Sequence, residues 1–246
     1  MRRRIAAAAK AAGRHSEDIR LIAVSKAFPP EAIYAAARCG QRAFGENYAQ
    51  EAVDKIVALE SLLSPVGSES LKEDAARAAS LTSPGQPQVA LEWHFIGPVQ
   101  SNKTKLVAEH FDWVQSVDRL KVAQRLAEQR PPPLPPLQIC IQVNVSGESS
   151  KSGVVPSALA ELAQQIVLLP RLRLRGLMTI PAPSPDADVL HRQFRLLREL
   201  RDDLAVRGFL LDTLSMGMSD DLDVAIAEGA TMVRVGRAIF GDRPAF

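Results

Sequence analysis

Eight short apolar segments, each followed by a stretch with helical spacing, constrain the fold of this chain more than anything else in it. They are Arg20–Lys26, Arg42–Gly45, Leu91–Gly97, Asp112–Ser116, Leu137–Val145, Leu172–Ile180, Asp212–Ser215 and Thr231–Gly236. Their shortness and aliphatic content predict buried strands. Helices are expected between them. Pro29-Pro30 opens the first and Gly40 closes it, following the preference for proline at a helix start and glycine just past its end. The others are expected at about 47–63, 101–110 with Ser101 as cap, 118–129 with Asp118 as cap, 156–169, 186–208, 220–228 and up to Phe240. In the longest, Val189, Leu190, Phe194, Leu197, Leu200 and Leu204 share one face. An amphipathic helix precedes the first strand and ends near Gly13.

A β-then-α unit repeated eight times fits one (β/α)8 TIM barrel, a single domain over residues 1–246. An open doubly wound α/β sheet is the other arrangement the alternation allows. Two stretches interrupt the pattern. Ser64–Val89 is rich in Ser, Pro, Gly, Ala and charge, and reads as a flexible insertion with a short helix near Leu71–Ala79. Arg130–Pro136 reads as an extended connector into the fifth strand.

Thirty basic residues stand against 28 acidic ones, a net charge of +2, which gives no reason to expect a nucleic-acid or membrane-surface partner. No apolar run approaches the roughly 20 residues that span a bilayer. Cys39 and Cys140 sit in apolar surroundings outside any CxxC pattern, so both are expected to be buried free thiols in a reducing, cytoplasmic compartment. No His/Cys/Asp/Glu set has metal-ligand spacing, and no serine lies in a nucleophile elbow.

In a barrel of this kind, chemistry belongs at the C-terminal strand ends. Those ends offer Ser25 and Lys26, Glu46 and Asn47, His94, Ser116, Asn144, Met178 and Thr179, Ser215 to Ser219, and Arg234 to Gly236. Lys26 closes the apolar run LIAVSK, where desolvation would favour the neutral, nucleophilic amine that imine formation requires. The plainer reading is a solvated lysine at a strand end. In Ser215–Asp221 (SMGMSDD), Gly217 permits close backbone approach and Ser219 is positioned to cap a helix. Gly236 and Arg237 open the next one, so two adjacent helix starts suit a phosphate, or are ordinary turns. Arg234 lies within a strand and needs an anionic or accepting partner, or an internal salt bridge. His94, within WHFIG, fits a satisfied core histidine as well as it fits a ligand contact. Arg171, Arg173 and Arg175 fall at the opposite barrel end and are expected to be solvated or ion-paired.

Six ordered motifs give this chain a wider resemblance: AVSK at 23–26, FGENYAQE at 44–51, EWHFIGPVQSNK at 92–103, NVSGESSKSG at 144–153, RGLMTIPAP at 175–183 and LSMGMSDDLDVAIAEGATMVRVGRAIFG at 214–241. Together they resemble the pyridoxal phosphate homeostasis protein family along essentially the whole chain. The resemblance implies a fold-type III barrel similar to the alanine racemase N-terminal domain, with pyridoxal 5′-phosphate (PLP) held as a Schiff base on Lys26. It further implies phosphate contacts from Ser215, Ser219, Gly236 and Arg237, largely through backbone, and Arg234 at the pyridine nitrogen; Gly217, read above as allowing close backbone approach, is counted with the cofactor-binding residues. Asn47, His94 and Met178 would line the pocket.

The family pattern implies a role in vitamin B6 and amino-acid homeostasis, with PLP passed to apo-enzymes and no catalytic turnover. The alternative is a PLP-dependent amino-acid racemase. Racemisation needs an acid/base group on each face of the substrate, typically a lysine and a tyrosine. Only Tyr34 and Tyr48 are present, both on early helices, and the chain stops at Phe246 without the second domain that supplies the tyrosine in racemases. A carrier and a monomer are therefore expected. The chain departs from the family pattern in a first helix shorter by about ten residues, consistent with a different start codon, in the longer insertion after Leu63, and in Arg237 where threonine is common.

Overall fold

The computed structural model describes residues 1–63, 90–148 and 151–242. The insertion at Ser64–Val89, with its expected helix, lies outside them. Among the described residues, eight strands form a closed parallel barrel in chain order: β1 Arg20–Val24, β2 Ala43–Glu46, β3 Glu92–Phe95, β4 Trp113–Val117, β5 Leu137–Gln142, β6 Leu172–Met178, β7 Thr213–Ser215 and β8 Met232–Val235. The seam is closed by β1 on β8, with Ile22 opposite Arg234. The surrounding helices are α1 Arg2–Ala11, α2 Pro30–Arg38, α3 Ala49–Leu63, α4 Thr104–His110, α5 Leu120–Gln129, α6 Leu159–Val167, α7 Ala187–Val206, α8 Leu222–Ala227 and α9 Arg237–Phe240.

The two-residue period of a strand sorts side chains between two compartments. Leu21 and Ala23 of β1 point outward into the layer shared with the helices, where they join Phe44, Phe95, Val114, Ile139, Leu177 and Val233. Ile22 points inward and meets Ala43, Trp113, Cys140, Met178 and Met232 inside the barrel. The face predicted on the long helix α7 packs on the outer layer: Leu190, Phe194, Leu197 and Leu204 are buried and Leu200 is partly so. Each fully buried aliphatic side chain of this kind contributes about 2 kcal/mol.

Several caps differ from expectation. α4 begins at Thr104, not beside Ser101, because the Thr104 hydroxyl donates to the Ser101 carbonyl and holds the preceding turn outside the helix. α5 begins at Leu120, and the Asp118 carboxylate accepts from Arg119 rather than from the helix backbone. Asp186 does cap α7, accepting from the Asp188 N–H at 2.8 Å. Cys39 is exposed at the end of α2 rather than buried, since it falls past the last inward turn, while Cys140 is buried and its thiol is pushed up to about 12 by that burial. Arg175 meets the expectation for the strand start: it pairs with Asp212 at 2.6 Å and lies 5.0 Å over the Trp113 ring.

Glu228 ends α8 and ties it to α7. Its buried carboxylate accepts from His191, Arg195 and Arg198 at 2.8–2.9 Å. Burial raises its proton affinity, but the hydrogen bonds from Arg195 and His191 and the charges of Arg198 and Arg195 outweigh this and hold it below the usual carboxylate range. Its stabilisation is therefore fully present above the unfolded carboxylate range and is lost as pH falls through the lower folded value. Glu228→Gln is expected to lower stability at pH 7 by about 1 kcal/mol, with the gap to the parent protein closing under acid. Urea unfolding at pH 7 and pH 3.5 checks this; a gap that widens in acid would contradict the assignment.

Candidate functional site

Lys26 stands two residues past β1, half-buried, in a turn fixed from behind. The carbonyl of Ser25 accepts from Lys55 Nζ at 2.9 Å, and the Ser25 hydroxyl donates to Glu46 Oε1 at 2.6 Å. On the other side the Ala27 N–H donates to Glu51 Oε1 at 2.7 Å, holding Ala27 at φ +65°, a conformation rare outside glycine. Lys55 joins the pieces, 3.0 Å from Glu46 and 2.5 Å from Glu51. Lys55 and Glu46 are both buried, and burial raises the Glu46 carboxyl above its usual range against the pull of Lys55 and Ser25. The residues flanking Lys26 are thus clamped by a lysine and two glutamates from β2 and α3.

Asn47 follows β2 directly. Its side-chain oxygen is buried and has no hydrogen-bond partner among the described residues. Gly97, after β3, lies so close that a Cβ there would overlap the Asn47 carbonyl, so this glycine is what lets the two strand ends converge.

Arg234 is buried on the inner face of β8. Nη1 donates to Ser215 Oγ at 2.7 Å and Nη2 to the Thr179 carbonyl at 2.8 Å. Burial lowers the guanidinium to about 10, so it remains charged at neutral pH. Among the described residues no carboxylate forms an ion pair with it. Gly217, at φ +96°, passes beneath α8, where a Cβ would come within 2.6 Å of Ala225 Cβ. Its carbonyl accepts from the Arg234 N–H.

Ser219 does not cap α8. The helix starts at Leu222, the Asp221 carboxylate accepts from the Met218 N–H at 2.5 Å, and the Ser219 carbonyl receives Arg4 at 2.6 Å. Gly236 approaches the carbonyl of Val24 at the end of β1, which brings the start of α9 beside the Lys26 turn. Phe28 stacks on Phe240 at 5.0 Å across the same junction. The Arg237 side chain projects into solvent, 3.6 Å from Asp242.

Lys26, Asn47, Gly217, Ser219, Arg234, Gly236 and Arg237 all stand at the C-terminal mouth of the barrel. Ser215 is there too, but its hydroxyl is committed between Arg234 and Gln115 Oε1, the latter at 2.6 Å. Met178 ends β6 in the apolar interior. His94 is set deeper and wholly enclosed, stacked 5.4 Å from Trp113, with both ring nitrogens engaged by Glu92 and Gln115. It is a satisfied interior histidine. Lys55, Glu51, Gln115 and Thr179 complete the surroundings. The i,i+4 pair Glu51–Lys55 was visible in the sequence, but it reads there as a surface ion pair.

Among the described residues no group of His, Cys, Asp or Glu could hold a metal ion. The arrangement offers a lysine amine, a buried unpartnered amide oxygen, an arginine without a carboxylate and two strand-to-helix turns. That set suits a ligand with a carbonyl, a hydrogen-bonding ring and an anionic tail.

Residues 1–244 match the family described as alanine racemase, N-terminal domain. A protein of Pseudomonas aeruginosa named pyridoxal phosphate homeostasis protein is 52% identical over 98% of this chain and 91% of its own length. A protein of the same name from Escherichia coli is 50% identical over 99% of this chain and 94% of its own. Among solved structures, PipY of Synechococcus elongatus, with PLP bound, superposes with a TM-score of 0.73 at 33% identity, covering 96% of this chain and 100% of its own. An alanine racemase of Clostridium difficile shares the fold with a TM-score of 0.64 at 15% identity, covering 99% of this chain and 57% of its own.

Breaking the clamp tests its weight. Lys55→Met is expected to cost about 3 kcal/mol, because it leaves a buried carboxylate unpaired. Adding Glu46→Gln should recover part of that loss. Chemical denaturation of the single and double variants checks both, and a loss well under about 1 kcal/mol for Lys55→Met would reduce the clamp to a surface pair.

Proposed function

The chain belongs to the pyridoxal phosphate homeostasis protein family, on an alanine racemase N-terminal fold, and we propose from this that it binds PLP at the C-terminal mouth of its barrel and serves PLP homeostasis. The observation that carries the reading is the juxtaposition of Lys26 with Arg234 and the turns at Gly217 and Gly236 around one opening. PLP supplies an aldehyde that condenses with a lysine amine, releasing water. Lys26 would hold it covalently, from a backbone turn that the clamp keeps in place. The partnerless oxygen of Asn47 and the carboxylate-free guanidinium of Arg234 fit a polar heterocycle. Backbone N–H groups of Gly217, Ser219, Gly236 and Arg237 would take the phosphate.

Arg234 remains charged and can only donate, so facing the ring nitrogen it would keep that nitrogen unprotonated. An unprotonated ring is a weak electron sink, which favours holding and transferring the cofactor over carbanion chemistry. This supports a carrier that holds PLP and hands it to apo-enzymes rather than one that turns over a substrate; the proposed carrier is a cytoplasmic monomer. The alanine racemases of Clostridium difficile and Corynebacterium glutamicum, at 15% and 16% identity, share the fold with this chain, and at that distance the likeness is one of fold alone.

The test is an absorbance spectrum with PLP, followed by borohydride reduction and peptide mapping. A visible band fixed by reduction onto Lys26, and absent in Lys26→Ala, is the expected result; a band surviving in that variant would move the attachment elsewhere. Arg234→Glu is expected to weaken PLP binding by at least about tenfold through charge inversion at the ring. Unchanged affinity would take Arg234 out of the site.

A further inference from the structure

The hydrogen bonds of Arg234 continue past the mouth, through the barrel interior, to its opposite end. Arg234 Nη1 is 2.7 Å from Ser215 Oγ, Ser215 Oγ is 2.6 Å from Gln115 Oε1, Gln115 Nε2 is 2.8 Å from His94 Nδ1, and His94 Nε2 is 2.6 Å from Glu92 Oε1. Arg234, Ser215, Gln115 and His94 are buried, each 3% exposed or less. Glu92 is half-buried and receives Arg20 Nη1 at 2.6 Å. It opens onto a cavity of about 790 Å³ at the N-terminal mouth, lined also by Arg20, Asp112, Trp113 and Arg175.

The direction of every link follows from the first. A guanidinium can only donate, so Ser215 Oγ accepts and sends its own proton to Gln115 Oε1. That fixes the amide, whose nitrogen faces His94 and can only donate. Nδ1 therefore accepts, and the imidazole proton sits on Nε2, aimed at the Glu92 carboxylate. No donor meets a donor from the buried cation to the carboxylate at the far mouth. Such a chain polarises in one sense, each bond strengthening the next.

We propose that Ser215, Gln115, His94 and Glu92 are positioning residues for Arg234, holding its guanidinium in one orientation without placing a carboxylate among its direct partners. The proposal rests on the reading of Arg234 as the residue that faces the PLP ring. A carboxylate beside Arg234 would compete with the ring nitrogen for its N–H groups. A carboxylate reached through three neutral side chains does not. Burial, opposed by Glu92, also lowers the proton affinity of His94, which suits a neutral ring as the middle link.

Two measurements test this. The first needs no cofactor: nitrogen-15 NMR of the full chain at pH 7 should show a neutral His94 with its proton on Nε2. A proton on Nδ1, or an imidazolium, reverses or breaks the chain and overturns the proposal. The second is a double-variant cycle read by PLP affinity. Gln115→Leu and Ser215→Ala should each weaken binding by about tenfold, the scale of one hydrogen bond to a charged group, and the double variant by no more than the worse single. Ser215→Thr, which keeps the hydroxyl, should restore affinity. Fully additive losses, or singles that bind PLP normally, overturn the chain. If Gln115→Leu fails to fold, the Ser215 pair carries the test alone. Unchanged binding in Arg234→Glu would instead sink the parent reading of the site, while the His94 tautomer still judges the chain.

Discussion

The inside of a closed eight-stranded barrel is filled by side chains, so a polar group placed there must find its partners on other strands. Arg234 is the most demanding case in this protein, a cation buried at the inner face of β8. Its donors reach β7 through Ser215 and the end of β6 through the Thr179 carbonyl. Ser215 in turn needs Gln115 from β4, and Gln115 needs His94 from β3. Five strands are thereby tied together by one polar row, while Ile22, Ala43, Trp113, Cys140, Met178 and Met232 fill the remaining space. The row fixes which way the C-terminal mouth presents its charge.

The architecture was legible because it depends on local periodicity. Strand order follows chain order, so once eight units were counted no long-range pairing had to be guessed. The residues at strand ends were legible for the same reason, since a parallel barrel puts every C-terminal end on one face. The caps were not. Ser101 and Asp118 have the right chemistry for a helix start, but Thr104 bonds the Ser101 carbonyl ahead of the helix and Arg119 takes the Asp118 carboxylate. The role of Lys55 was hidden because helical spacing pairs it with Glu51 and gives no sign that both reach back to the β1 turn. His94 illustrates the same limit: strand alternation places it inside the barrel, but only the positions of Glu92 and Gln115 show that its nitrogens are already engaged.

The mouth combines two kinds of order. Ser25 and Ala27, on either side of Lys26, are held through their backbone by side chains of β2 and α3, so the origin of the lysine side chain is fixed. After β7 and β8, Gly217 and Gly236 bring main chain rather than side chain toward the opening. An amine on a fixed root facing a wall of backbone discriminates by shape and charge distribution more than by any single contact.

The seam has a consequence for when the protein becomes competent. Lys26 is supplied by the first unit of the barrel and Arg234 and Gly236 by the last, and they meet only where β8 closes against β1. Arg4 and Arg14, near the start of the chain, bind carbonyls of Ser219, Ile226 and Ala230 near its end. Until the last β-then-α unit is in place, the lysine therefore has no completed opening around it. The opening is complete only with that unit docked, so a ligand that bridges the seam adds its binding energy to the closure.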